Sequence, residues 1–152
     1  MYTELHCLSH YSFLRGASAP EELVSRAARC GYHGLAITDE CSLAGVVKAH
    51  VAAKEHQLKL IIGSELTLTE GIRLVALVPN RAAYGELSGL ISRARRRTGK
   101  GEYIVHLRDV IFHLKRCLII LLPNDTDNQS VHLQQLAKRC KGRVWIGISR
   151  LL

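Results

Sequence analysis

Apolar positions along this chain come in two kinds of run, and the two alternate. Short continuous runs, such as residues 34–38 (GLAIT) and 117–122 (CLIILL), carry no polar face, as strands buried on both sides do. Between them apolar residues recur every three to four positions with polar residues opposite, the pattern of a helix with one covered face. On this basis residues 3–7 form a short first strand. A helix then starts at Ser18-Ala19-Pro20-Glu21, where Ser18 caps, Pro20 suits the first turn and Glu21 closes a capping box. It runs to about Cys30 and stops at Gly31. After the strand at 34–38, Ser42 caps a second helix over 43–57. Strands follow at 59–68 and 72–78, joined by a tight hairpin turn at Glu70-Gly71. Asn80 caps a long helix reaching about Arg97. A short helix at 108–115, a strand at 117–122, a helix at 130–140 and a strand at 143–148 complete the pattern.

Buried strands separated by helices predict parallel strands covered on their faces, as in a β/α barrel or an open α/β sheet. The 152 residues suffice for one domain with a hydrophobic core. There is no internal repeat, low-complexity tract or domain linker. Because the last predicted strand has no covering helix after it, the expected architecture is a β/α barrel left unfinished.

Composition narrows the setting. Apolar residues make up 47%, which excludes a disordered chain. No run of about 18 apolar residues predicts a transmembrane helix, and residues 1–8 lack the basic and apolar regions of a secretory signal. Five cysteines without CxxC spacing (Cys7, Cys30, Cys41, Cys117, Cys140) read as reduced thiols in a cytoplasmic protein with no membrane partner. The net charge of +8 is partly local, since Arg93, Arg95, Arg96, Arg97 and Lys100 fall in one stretch. Such a run either complements a helix C-terminus or contacts phosphates, and Arg95, Arg96 and Arg97 are the candidate nucleic-acid contacts.

Candidate chemistry lies where α/β folds place it, at the carboxyl ends of strands. His6, Ser9, His10 and Arg15 follow the first strand, Asp39 and Glu40 follow the second, and Glu65 sits within the third. A histidine with carboxylates suits a divalent cation, which can clamp a phosphate and activate water. Each residue also has a structural reading. A histidine at a strand end is commonly a hydrogen-bonded scaffold residue, and Asp39-Glu40 can cap a helix. Glu65 is hardest to dismiss, because a buried carboxylate requires a cation or donors.

Three segments in series, LHCLSHYSFLRGAS, GLAITDECSLAGVVKAH and LKLIIGSEL, resemble the successive motifs of the PHP (polymerase and histidinol phosphatase) domain. The stretch RLVALVPNRAAYGELSGLISRARRR resembles the polymerase branch of that family. SFLRGAS and TDECSLAGV resemble its error-prone C-family DNA polymerase subgroup. The resemblance covers essentially the whole chain and implies an α/β fold: a distorted β/α barrel of PHP type, with residues 1–152 as its front part and the polymerase core outside it.

The resemblance also implies a metal cleft at the strand ends, with zinc or manganese in the family and magnesium for the polymerase reaction. The family ligands transfer one at a time. His6 matches the first histidine of the opening motif, but Leu8 stands where the second belongs. Arg15 stands where polymerase-type members carry an acid. Thr38-Asp39-Glu40 replaces Thr-Asp-His, so a carboxylate takes the place of an imidazole. Glu65 matches the bridging glutamate, and the later motifs lie past Leu152. The implied ligand set is therefore His6, Glu40 and Glu65, with Asp39 and Arg15 lining the cleft. An arginine there predicts a degenerate site neutralised by an Arg15 ion pair, with no catalytic residue and no cofactor in this segment.

The implied parent is a DNA-directed DNA polymerase of the error-prone, repair-associated kind. Its partners would be the remaining polymerase domains of the same chain and DNA, and this segment alone would be inactive. Rival readings are a metal-dependent phosphoesterase or 3′–5′ exonuclease working through His6, Glu40 and Glu65, and a free small-molecule phosphatase of PHP type.

Overall fold

In the computed structural model of the chain, residues 2–123 and 129–148 are described. The chain divides after Glu65 into two compact units. In the first, strands β1 (Thr3–Glu4), β2 (Gly34–Ile37) and β3 (Lys59–Thr67) alternate with helices α1 (Pro20–Arg29) and α2 (Val46–Glu55), and β3 continues into the second unit. The strands are parallel, with Thr3 opposite Gly34 and Gly34 to Ile37 opposite Lys59 to Ile62. Each parallel step needs a crossover, which α1 and α2 supply. Their small inner residues Ala27, Ala49, Ala52 and Ala53 pack with Val24 around Leu35 and Ile37. All four residues of β2 are buried, as its unbroken apolar run requires.

Two predicted caps are corrected. The first helix is capped at Ala19, in extended backbone, and Glu22 rather than Glu21 reaches back to accept the Ala19 N–H at 2.9 Å. Ser18 stands one residue too early to cap, and its backbone carbonyl accepts the His10 N–H at 2.9 Å. The second helix begins only at Val46. Ser42 instead closes a local turn on the Ala44 N–H and donates its own N–H to Ser64 Oγ at 3.2 Å, which ties the segment 41–45 to β3.

The second unit contains β4 (Arg73–Val78), α3 (Arg81–Arg96), α4 (Leu107–His113), β5 (Leu118–Leu122), α5 (Gln129–Arg139) and β6 (Val144–Ile146). A turn leads into β4: Leu68 N–H donates to Ile72 O, and Gly71 N–H donates to Leu68 O. Gly71 takes φ +77°, a conformation that favours glycine. The parallel order expected of the helix-separated strands is broken at β5, which runs antiparallel to β4 with Arg73 opposite Leu122 although α3 and α4 lie between them. β5 and β6, joined through α5, are parallel again. Asn80 caps α3 as expected, accepting the Ala83 N–H at 3.0 Å. Leu74, Val75, Leu87, Leu90, Ala94, Val110, Ile119 and Leu136 are buried in this unit. No helix among the described residues is long and apolar enough to cross a membrane.

Candidate functional site

The site belongs wholly to the first unit and begins with a loop nailed to the end of β2. Asp39 is buried, and its carboxylate accepts the Ser9 N–H at 2.8 Å, the Ser9 hydroxyl at 2.7 Å and the Ser12 hydroxyl at 2.7 Å. Ser12 Oγ in turn accepts the Glu40 N–H at 2.9 Å. The Arg15 and Gly16 N–H groups both donate to the Ser12 carbonyl. The loop doubles back so tightly that a Cβ on Gly16 would lie 2.0 Å from the Ser9 carbonyl oxygen, so only glycine fits. Leu14 sits at φ +60°, a conformation unusual for a leucine. This framework delivers the Arg15 side chain to the strand ends.

Glu40 and Glu65 lie side by side there in a parallel bridge. Thr38 O accepts the Glu65 N–H, and Glu65 O accepts the Cys41 N–H. Two adjacent carboxylates repel unless a cation lies between them, and the Arg15 guanidinium does. Its Nη1 donates to Glu40 Oε2 at 2.8 Å and to Glu65 Oε1 at 2.6 Å, while Nη2 reaches Glu65 Oε2 at 3.2 Å. His6 Nε2 closes the cluster at 2.6 Å from Glu65 Oε2. The Glu65 side chain is fully buried, whereas Arg15 retains a third of its exposure. Burial pushes the Glu65 carboxyl upward, but the hydrogen bonds from His6 and Arg15 outweigh it and hold the group at about 2. The Arg15 guanidinium is raised, first by its hydrogen bond to Glu65 and against the effect of its own burial.

His6, Arg15, Glu40 and Glu65 are thus brought together, while the Asp39 carboxylate turns to Ser9 and Ser12. Ser12, the hinge between Asp39 and Glu40, was not legible in the sequence, because a lone serine between Tyr11 and Phe13 carries no periodic signal.

A divalent cation does not fit these residues. Both oxygens of Glu65 and one of Glu40 are taken by a permanent cation, and Leu8 offers no donor. Among the described residues no group of three or more His, Cys, Asp or Glu is arranged to hold a metal ion. Nor does the neighbouring thiol supply a nucleophile. Burial, then the charges of Glu4 and Asp39, push Cys7 up to about 11, so it stays protonated at neutral pH.

In the second unit two members of the basic run, Arg95 and Arg97, are engaged by the fold. Arg95 lies over the Tyr103 ring at 5.1 Å and donates to the Gly101 and Glu102 carbonyls. Arg97 grips both carboxylate oxygens of Asp109 and also donates to the Ile104 carbonyl. That grip, with the His106 N–H, holds Asp109 at about 2 despite its burial. Arg96 is exposed.

Comparison with known proteins places this geometry in a family. A model of the PHP domain matches residues 4–139. The chain is 58% identical over 152 residues to an error-prone DNA polymerase of Saccharophagus degradans, covering 99% of the chain and 15% of that protein. It is 50% identical over 148 residues to an error-prone DNA polymerase of Pseudomonas aeruginosa, covering 97% of the chain and 14% of the relative. The chain therefore spans about 15% of the length of these curated relatives. Among solved structures, it resembles a Bifidobacterium adolescentis protein named for metal-dependent phosphoesterase activity. The TM-score is 0.73 at 17% identity, covering 96% of this chain and 76% of the other. An amidohydrolase of Chromobacterium violaceum gives a TM-score of 0.68 at 17% identity, with the same coverage. At such identities the likeness shows the fold alone, an α/β fold of PHP type matching the expected front part of a distorted barrel. With its family model spanning most of the sequence and its three motifs gathered at the ends of parallel strands, the chain belongs to the PHP domain family.

Proposed function

We propose that this chain is the opening PHP segment of an error-prone, C-family DNA polymerase, and that its PHP site is a structural ion cluster in which Arg15 replaces the divalent cation. The carrying observation is the single guanidinium shared between Glu40 and Glu65 at 2.8 and 2.6 Å. A metal-dependent phosphoesterase needs those oxygens free to coordinate an ion that activates water. Here they are neutralised permanently, since a guanidinium does not lose its proton in the physiological range. The segment therefore holds strand ends and loop together and hydrolyses nothing.

In this reading nucleotidyl transfer, with magnesium, belongs to the remaining domains of the same cytoplasmic polypeptide, which would extend DNA past lesions. Of Arg95, Arg96 and Arg97, it is Arg96 that is left for DNA contact, because Arg95 and Arg97 are bonded within the fold. The similarity to error-prone DNA polymerases along nearly the whole chain supports the assignment of the parent.

The test uses the full-length protein. Primer extension with magnesium is expected, and Glu65→Gln should leave any 3′–5′ exonuclease and phosphoesterase activity at background, as in the unaltered protein. Elemental analysis should find no stoichiometric zinc or manganese that depends on Glu65. Tightly bound metal lost in Glu65→Gln, together with a hydrolytic activity lost in the same variant, would overturn the structural reading. Absence of primer extension would overturn the polymerase assignment.

A further inference from the structure

The second unit carries a cleft of about 750 Å³ between α4 and α5 that plays no part in the ion cluster. Its wall is cationic on both sides, with Arg108 on α4 and Lys138 and Arg139 on α5. All three are exposed, and none makes an ion pair among the described residues. The acid in the lining, Glu70, is already committed, with both carboxylate oxygens 3.0 Å from the Leu107 N–H. Phe112 also lines the cleft, and two thirds of it is open to solvent. His132 lines the same wall, and its Nδ1 is buried with no hydrogen-bond partner among the described residues.

We infer that this cleft is a binding site for unpaired, single-stranded nucleic acid, with phosphates on Arg108, Lys138 and Arg139 and a base stacked on Phe112. Three cations against the single carboxylate of Glu70, which is turned to the Leu107 N–H, select a polyanion. The exposed aromatic face selects one that alternates flat apolar groups with its charges, as a nucleotide chain does and an acidic peptide does not. The volume is that of an ordinary small-ligand pocket, room for a short length of strand. Two helices in contact leave a groove too narrow for a duplex. The interface would read no sequence, since stacking and phosphate contact accept any base. The inference rests on the polymerase reading only for the source of the strand, and it assigns the contact to a surface distinct from the run at 93–100.

The experiment measures binding of a fluorescent oligothymidylate to the full-length protein over a range of salt, by anisotropy. The triple variant R108A/K138A/R139A is expected to flatten the plot of log affinity against log salt by about 2, from roughly 0.7 for each phosphate contact on a single strand. Phe112→Ala is expected to weaken binding by about tenfold while leaving the slope unchanged. A control variant, R26A/R29A/K54A, removes the same charge from exposed positions in the first unit and should leave the slope nearly intact. Equal flattening by the control, no effect of Phe112→Ala, or equal displacement of the oligonucleotide by polyglutamate in both proteins would overturn the site. Circular dichroism of each variant separates loss of binding from loss of fold. If primer extension persists while these variants bind normally, the cleft assignment fails and the polymerase reading stands.

Discussion

Replacing Arg15 by alanine strips Glu65 of the cation that lies across it and leaves a buried carboxylate beside His6. Held at about 2 instead of 4.5, Glu65 contributes on the order of 3 kcal/mol of stability at neutral pH. The folded-state value is depressed, so this contribution is complete above pH 4.5 and is lost as the pH falls through 4.5 toward 2. Arg15 supplies only part of it, shared with His6, but its removal also leaves Glu40 and Glu65 to repel each other. Breaking a buried pair typically costs about 3–5 kcal/mol, and partial exposure of Arg15 lowers that. We expect Arg15→Ala to cost about 2–3 kcal/mol at pH 7, and less at pH 3, where Glu65 is more often protonated in the unfolded chain. Hydrogen exchange of the full-length protein, read on amides of β2 and β3, should show opening roughly 30- to 150-fold more frequent at pH 7. Adding Glu65→Gln to Arg15→Ala should recover much of the loss, because an amide needs no counter-charge. An effect below about threefold, or one undiminished at low pH, would refute the reasoning. So would a variant that gains metal and stability together.

Other expectations follow from neighbouring contacts. Gly16→Ala places a Cβ where the Ser9 carbonyl stands, and should cost more than about 2 kcal/mol, with exchange protection lost at Arg15 and Gly16. Asp109→Asn removes a carboxylate held at about 2 against an ordinary 3.8. It should destabilise the second unit by about 1–2 kcal/mol near neutral pH, an effect that fades below pH 3.8, as thermal unfolding at two pH values would register. In thiol labelling at pH 8, exposed Cys30 should react first. Cys7 and Cys117, pushed up to about 11 and 12 chiefly by burial, should resist until the protein unfolds. Early modification of Cys7 would contradict the burial argument.

What the sequence determined by itself is what depends on short range. The β2 run is buried throughout because it has no polar face to expose. Asn80 caps α3 because its side chain reaches an N–H only three residues ahead. Gly71 turns the chain because the required φ excludes most other residues there. The family motifs were legible for the same reason, being contiguous strings. Even at short range, position decided outcomes: Ser18 and Ser42 had the chemistry to cap, but the helices begin after Ala19 and Gly45, and Ser42 Oγ accepts the Ala44 N–H instead. Only the tertiary structure decided the site. Arg15 meets Glu40 across 25 residues and Glu65 across 50, at distances set by parallel registry and by a loop pinned to Asp39. Local propensity does not distinguish Asp39, which anchors the loop, from Glu40, which pairs with the cation; only the motif resemblance set them apart. Likewise Arg95, Arg96 and Arg97 read as one basic run, yet the loop carrying Tyr103 and the Asp109 carboxylate engage two of them and leave Arg96 exposed. Charge can be counted along a chain, but which charge is spent on another depends on where folding brings the partner.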